Sequence, residues 1–219
     1  ATATEHGFRG GAGIIFDVQD GSILALTSVP SFDINAFSQG LDVKTARELF
    51  SNPSAPLFDR AVSGAYPPGS IVKPFIALAA LEENTISPEQ NIFSSGKLTI
   101  PDPYHPGQFS TFLDWKAHGY VDMRKAIAVS SDVYFYTVGG GFGDIKGLGI
   151  TKIKEWMTRF GFMSVTGIDL PGEKMGLIPD PAWKEKMRTS NPVWRVGDTY
   201  NTSIGQGDMG VTPIRLLTF

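Results

Sequence analysis

Cysteine is absent from the 219 residues. That excludes disulfides, thiolate catalysis and cysteine-based zinc sites, and is compatible with an oxidising compartment without requiring one. Histidine is scarce: only His6, His105 and His118 occur, and no Gly-x-Ser-x-Gly elbow accompanies them. A Ser/His/Asp triad therefore has no setting here. Net charge is −3 and no Lys/Arg-rich run appears, so a basic nucleic-acid-binding surface is not expected. No stretch approaches the ~18 apolar residues needed to span a bilayer, and Ala1 to Gly10 lacks the basic-then-apolar plan of a signal peptide. Any export or anchoring segment is expected to lie outside this chain. Gly139-Gly140-Gly141-Phe142-Gly143 lacks the Gly-Lys-Ser/Thr of a phosphate loop.

What is present points to an ordered, turn-rich α/β chain. A hydrophobic share of 42% and 15 phenylalanines can build a core, while 25 glycines and 15 prolines argue against a simple bundle. Gly13 to Asp17 and Ser22 to Thr27 are β-prone runs joined by Asp20-Gly21, which predicts a hairpin. Both runs are largely apolar, so both faces are expected to be covered. Val29 to Asp33 then reads as a loop. A short helix is predicted from Asp42 to Phe50, ended by Asn52-Pro53. Another follows Pro68-Gly69, with Ile71, Phe75, Leu78 and Leu81 at helical spacing. Residues 84–120 read as loop with short strands, including Lys97 to Ile100 and a turn from Pro101 to Gly107. Met123 to Val138 is helical but broken at Ser130-Ser131-Asp132. The 139–143 glycine run reads as a flexible connector. Thr151 to Phe160 is amphipathic and stopped by Gly161. Thr212-Pro213 starts a last helix, with the chain expected to stop inside it at Phe219.

Ser70 and Lys73 lie one helical turn apart, behind Tyr66-Pro67-Pro68-Gly69. Pro74 has no N–H, so the helical bond from residue 74 to the Ser70 carbonyl cannot form and the first turn should be irregular. A serine at the mouth of a helix with an amine three residues on can pair a nucleophile with a base. An amine on an apolar helix loses the solvation of its charged form, and a neutral amine can take a serine proton. Ser-x-x-Lys alone is weak evidence, arising roughly once by chance in a chain this long. It equally describes a helix-capping serine followed by a surface lysine. The flanking Pro-Pro-Gly and Lys-Pro-Phe, and the Ser130-x-Asp132 pattern about 60 residues later on an interrupted helix, give it meaning.

Ser-x-x-Lys followed by Ser-x-Asn/Asp are two of the three motifs of serine β-lactamases and penicillin-binding proteins. Tyr66 to Pro74 resembles the nucleophile motif of the monofunctional, class B penicillin-binding proteins. Ser28-Val29-Pro30-Ser31-Phe32-Asp33, Leu57 to Ala61, Thr166 to Pro171, Ile204-Gly205-Gln206-Gly207 and Thr212-Pro213 resemble other segments of that family. Asp114-Trp115-Lys116, His118-Gly119, Ser130-Ser131-Asp132 and Gly197-Asp198-Thr199 resemble its cell-elongation branch. The similarity runs from about Gly11 to the last residue.

The resemblance implies an α/β (α+β) sandwich, an antiparallel sheet flanked by helices with a helical subdomain carrying Ser130. It implies a D,D-transpeptidase that cross-links peptidoglycan stem peptides ending in D-Ala-D-Ala and is acylated by β-lactams. Carried over by position, Ser70 is the nucleophile, Lys73 its base and Ser130 a proton relay. Asp132 stands where asparagine is usual and orients Lys73 and the substrate amide. Implied partners are a membrane glycosyltransferase and elongation-complex proteins, outside the cytoplasmic membrane; no cofactor is implied.

The third family motif, Lys-Thr/Ser-Gly, is missing; Lys44-Thr45-Ala46 is nearest and far too early. Residues 1–219 are accordingly expected to be the N-terminal and central part of one transpeptidase domain. Losing an oxyanion donor typically costs ~10²–10³ in rate, so the chain alone is expected to be inactive and its fold incomplete, with the hairpin's edge and apolar face open. A β-lactam sensor, a β-lactamase-like protein and a non-catalytic fragment are the competing readings. Asp114 with His118, and Asp102 with His105, are spaced for a metal, but a satisfied surface cluster without metal is the expectation.

Overall fold

Strand β1 (Gly11–Phe16) pairs antiparallel with β2 (Ile23–Val29), from Gly11 opposite Val29 to Phe16 opposite Ile23, with an irregularity between Ile15 and Phe16. Asp20-Gly21 closes the hairpin, and Gly21 takes a φ of +77° that a tight turn needs. The computed structural model describes residues 5–102 and 105–219. These form two units: Ala1–Tyr66 with Phe162–Gly176 and Gly210–Phe219, and Pro67–Gly161 with Leu177–Met209. Each has its own packing.

In the first unit the hairpin buries one face only. Ile14, Phe16 and Leu26 pack on Ala61, Val62 and Ile214, while Ile15 and Leu24 are 58% and 64% exposed. The expected coverage of both faces is therefore not met: apolar runs permit two-sided burial, but no described element covers the other side. Two helices follow, α1 (Ile34–Ser38) and α2 (Val43–Ser51). Asp42 caps α2 by accepting from the N–H groups of Lys44 and Thr45, as the predicted start requires. The sequence does not announce α1, a single turn capped by Asp33. Two of the family-like segments meet at Ser28, whose hydroxyl donates to Phe58 O at 3.2 Å and accepts from Arg60 N–H at 3.0 Å. The last helix, α9 (Pro213–Leu217), is capped by Thr212 and closes at Leu217, so Phe219 lies beyond it.

The second unit is built on helices. A 3₁₀ turn (Gly69–Val72) leads into α3 (Lys73–Glu82), followed by the short antiparallel sheets formed by β3 (Ile92–Ser94) with β6 (Gly119–Val121) and β4 (Lys97–Pro101) with β5 (Phe109–Leu113). Pro103 and Tyr104, inside the predicted 101–107 turn, lie outside the described residues. Then come α4 (Met123–Ala128), α5 (Asp132–Gly140), α6 (Gly149–Arg159), α7 (Pro181–Met187) and α8 (Val196–Ser203). The break between α4 and α5 falls where the small polar residues predict it.

Two expectations for this unit need correction. Ile71, Leu78 and Leu81 are not the buried face of α3: Ile71 is 59% and Leu78 43% exposed, while Val72, Lys73, Ile76, Ala79 and Ala80 are enclosed. The helix is apolar all round, so spacing alone does not choose a face, and the small alanines allow close packing with α5 and α6. Nor are Gly139 and Gly140 a connector. They are the last turn of α5, lying against α8; a Cβ on Gly140 would sit 2.4 Å from Tyr200 Cε1, and one on Gly139 2.3 Å from Ser203 Cβ. Across α6, Ile153 and Met157 are buried, and Gly161 ends the helical segment at a φ of +81°.

Candidate active site

Ser70 sits in the 3₁₀ turn because two local facts forbid a regular helix start. Gly69 has a φ of +64°, and Pro74 lacks the N–H for an α-helical bond to Ser70 O. Lys73 N–H takes that carbonyl instead, closing the tighter turn. The turn is fastened from behind by Gly69 N–H donating to Gly205 O at 2.9 Å. Gly205 itself is at φ +73°, and a Cβ there would lie 2.2 Å from Gly69 O. The result is an exposed Ser70 followed by Lys73, only 2% exposed.

Lys73 Nζ reaches three oxygens across the gap between α4 and α5. They are Ser130 O at 2.8 Å, Ser130 Oγ at 3.0 Å and Asp132 Oδ1 at 2.5 Å. The Phe135 ring lies beside the amine, 5.7 Å from its centroid. Among the described residues no hydrogen bond joins Nζ to Ser70 Oγ. The carbonyl and the carboxylate can only accept. The Ser130 hydroxyl can accept from an ammonium or donate to an amine, so the arrangement can hold the lysine in either protonation state and move a proton between Nζ and Oγ.

Ser130 is placed by a helix ending. Ser130 N–H donates to Ile127 O and Ser131 N–H to Ala126 O, the bonding pair of a Schellman motif, whose C′ residue is normally glycine. Here that residue is a serine at φ +54°, a left-handed conformation costing a non-glycine residue roughly 1–2 kcal/mol. The strain turns both the carbonyl and the hydroxyl of one residue toward Lys73. Ser131 then caps α5 by accepting from Tyr134 N–H at 3.3 Å, and Asp132 occupies its first turn, where the helix dipole favours a carboxylate.

Asp114 and His118 are not the expected surface pair; their side chains are 0% and 2% exposed. Asp114 Oδ2 accepts from Ser94 Oγ at 3.1 Å, Ser131 Oγ at 2.9 Å and Val133 N–H at 3.1 Å, and Oδ1 accepts from Trp115 N–H at 2.9 Å. Burial pushes its carboxyl up, but donation from the Val133 and Asp132 N–H groups, the Ser131 hydroxyl and Trp115 N–H outweighs it and holds the group below the usual carboxylate range. His118 Nε2 faces Oδ1 at 3.4 Å. His105 Nδ1 is separately 3.1 Å from Asp102 Oδ2. Among the described residues no group of three or more His, Cys, Asp or Glu could hold a metal. Ser94 and Ser131 carry no signal of this role in the sequence, because their meeting with Asp114 is a tertiary event.

Of the four predicted site residues, Lys73, Ser130 and Asp132 are thus in direct hydrogen-bonded contact, and Ser70 stands three residues before Lys73 in the 3₁₀ turn. Residues 11–219 match the profile of the penicillin binding protein transpeptidase domain. This chain belongs to that family. Its segment is 41% identical over 210 residues to peptidoglycan D,D-transpeptidase MrdA of Acinetobacter baumannii, covering 95% of this chain and 29% of that protein. Among solved structures, the complex between penicillin-binding protein PBP2 and MreC from Helicobacter pylori superposes with a TM-score of 0.80 at 35% identity, over 95% of this chain and 37% of that one. Pseudomonas aeruginosa PBP2 in complex with WCK 5153 gives 0.78 at 36% identity, over 98% and 47%. The mixed α/β fold with small antiparallel sheets is accordingly that of the penicillin-binding transpeptidases. The chain spans under a third of the length of the curated relative, and no helix among its described residues is long and apolar enough to cross a membrane.

Proposed function

We propose that this chain is the nucleophile-bearing part of a peptidoglycan D,D-transpeptidase of the elongation type, with Ser70, Lys73, Ser130 and Asp132 as its catalytic residues. The observation that carries the reading is the buried Lys73 amine, held within 3.0 Å of both Ser130 and Asp132 one turn from an exposed serine. Ser70 Oγ attacks the carbonyl between two terminal D-alanines, and its proton passes to Lys73 Nζ. As the tetrahedral intermediate collapses, the C–N bond breaks and Ser130 Oγ–H protonates the departing D-alanine amine, drawing a replacement proton from Lys73. The amine of a second stem peptide then attacks the acyl-enzyme, loses its proton along the reverse path and frees Ser70. Asp132 fixes the lysine throughout. A β-lactam follows only the first half, because its leaving nitrogen stays tethered to the acyl group.

Residues 1–219 supply the nucleophile, base and relay, and the Lys-Thr/Ser-Gly strand comes from outside this sequence. The full protein works at the outer face of the cytoplasmic membrane, tethered by a segment outside this chain. Its partners are a peptidoglycan glycosyltransferase and an MreC-like protein, the latter in keeping with the PBP2–MreC complex. The test is labelling of the full-length gene product with fluorescent penicillin. Label is expected on Ser70 and absent from Ser70→Ala, with D-alanine released from a donor peptide. Labelling that survives the substitution ends the assignment, rapid release of label identifies a β-lactamase, and labelling without D-alanine release identifies a sensor.

A further inference from the structure

Among the buried ionisable groups that the mechanism leaves unused, one beside the site has more polar partners than any residue that the mechanism does use. Asp114, in the segment after β5, is fully enclosed yet accepts hydrogen bonds from four donors. Two of these donors, Ser131 Oγ and Val133 N–H, flank Asp132 on the first turn of α5. The next residue, Trp115, grips the other side of the break: its indole N–H donates to Val129 O at 3.1 Å, the residue immediately before Ser130. The 114–115 segment therefore holds the chain on both sides of Ser130 and Asp132, and among the described residues its hydrogen bonds go to neither side chain.

We infer that Asp114 and Trp115 are positioning residues, a clamp that keeps the strained Ser130 turn and the start of α5 in the register that aims Ser130 and Asp132 at Lys73. This rests on the transpeptidase reading above. The need for a clamp follows from the turn itself. A serine at φ +54° tends to relax toward an ordinary conformation, and relaxation would swing its carbonyl and hydroxyl, the two groups Lys73 uses. A carboxylate suits the task better than an amide. Both of its oxygens accept, so it satisfies two backbone N–H groups and two hydroxyls at once, whereas an asparagine would aim its NH₂ at a donor. His118 Nε2, 3.4 Å from Oδ1 with its ring edge-on to Trp115 at 5.0 Å, packs the same corner. The depressed titration of Asp114 fits a carboxylate that is kept charged in order to accept.

The experiment measures acylation of the full-length protein by a β-lactam over a range of concentrations. It separates the rate constant at saturation from the apparent affinity, with a thermal midpoint recorded for each variant. Asp114→Asn is expected to lower the saturating rate constant about 100-fold, the scale of a misplacement near 1 Å, with the affinity changed far less. Asp180→Ala is the stability control. It removes a partly exposed helix-capping carboxylate, the cap of α7 and partner of Lys154, outside the α4–α5 break. Trp115→Phe is the second variant; Trp115 is 62% exposed, so the substitution leaves folding intact, and losing one bond to Val129 O should slow acylation about 5-fold. If Asp114→Asn does not fold, Trp115→Phe decides. Saturating rates equal to the parent in the folded variants, or a fall no larger than that of Asp180→Ala at matched midpoint, overturn the clamp. A parent protein that takes no label on Ser70 overturns the transpeptidase reading and the clamp together.

Discussion

Ser130→Gly separates two properties that one residue combines. The left-handed φ of +54° costs a serine roughly 1–2 kcal/mol, and glycine removes that penalty while losing about 0.5–1 kcal/mol through its freer unfolded chain. Ser130→Ala keeps the strain. Both variants lose the hydroxyl contact to Lys73, a term that cancels between them. The glycine variant should therefore hold its turn more firmly than the alanine variant by roughly 0.5–1 kcal/mol, or about 2–5-fold in the local opening equilibrium. Hydrogen exchange at the Ser131 amide, which donates to Ala126 O, reads that opening directly. Acylation tells the other half: with the relay gone, both variants should fall by about 10²-fold or more. Exchange in the glycine variant as fast as in the alanine variant would show that the turn stores no strain. Acylation at the parent rate in either would show that the hydroxyl has no part in the chemistry.

Gly205→Ala places a Cβ 2.2 Å from Gly69 O at a φ of +73°. It should displace the turn that carries Ser70, with labelling reduced at least 10-fold while the circular dichroism spectrum is retained; unchanged labelling would refute the idea that this contact sets the nucleophile. Acid should loosen the α4–α5 corner through Asp114. Its carboxyl titrates below the usual value near 3.8 when folded, so the unfolded chain binds the proton first as pH falls. The stability it contributes is complete above the unfolded value and is lost as pH falls through the lower folded one, setting in below about pH 5. Exchange at the Val133 amide followed from pH 6 downward should show this, and Asp114→Asn should flatten the profile; a parent profile that is already flat contradicts it.

How far the sequence reaches depends on whether the cause is local. The irregular turn at Ser70 was legible because Pro74 removes one particular hydrogen bond, and the start of α2 was legible because Asp42 is a cap. The Ser130 break was legible because small polar side chains compete with helix bonding. The orientation of α3 was not, since a helix apolar on every side carries no periodic signal and its buried face is chosen by packing against α5 and α6. Gly139 and Gly140 read as a connector because glycine signals both flexibility and close approach, and only the position of Tyr200 and Ser203 distinguishes them. Asp114 lies in a family-like segment, yet its bond to Ser131 spans 17 residues and nothing in either neighbourhood encodes it. Motifs carry the fold family and the four candidate site residues; packing supplies the support beneath them.

One of the three acceptors that hold Lys73 is a main-chain carbonyl, that of Ser130. No substitution at position 130 deletes it, so replacing the serine leaves the lysine partly anchored. A single inserted or deleted residue between Val129 and Asp132 has the opposite effect: it rotates that carbonyl away and carries Asp132 off with it, even if every side chain is kept. The spacing of this turn, as much as its lettering, is what heredity must preserve.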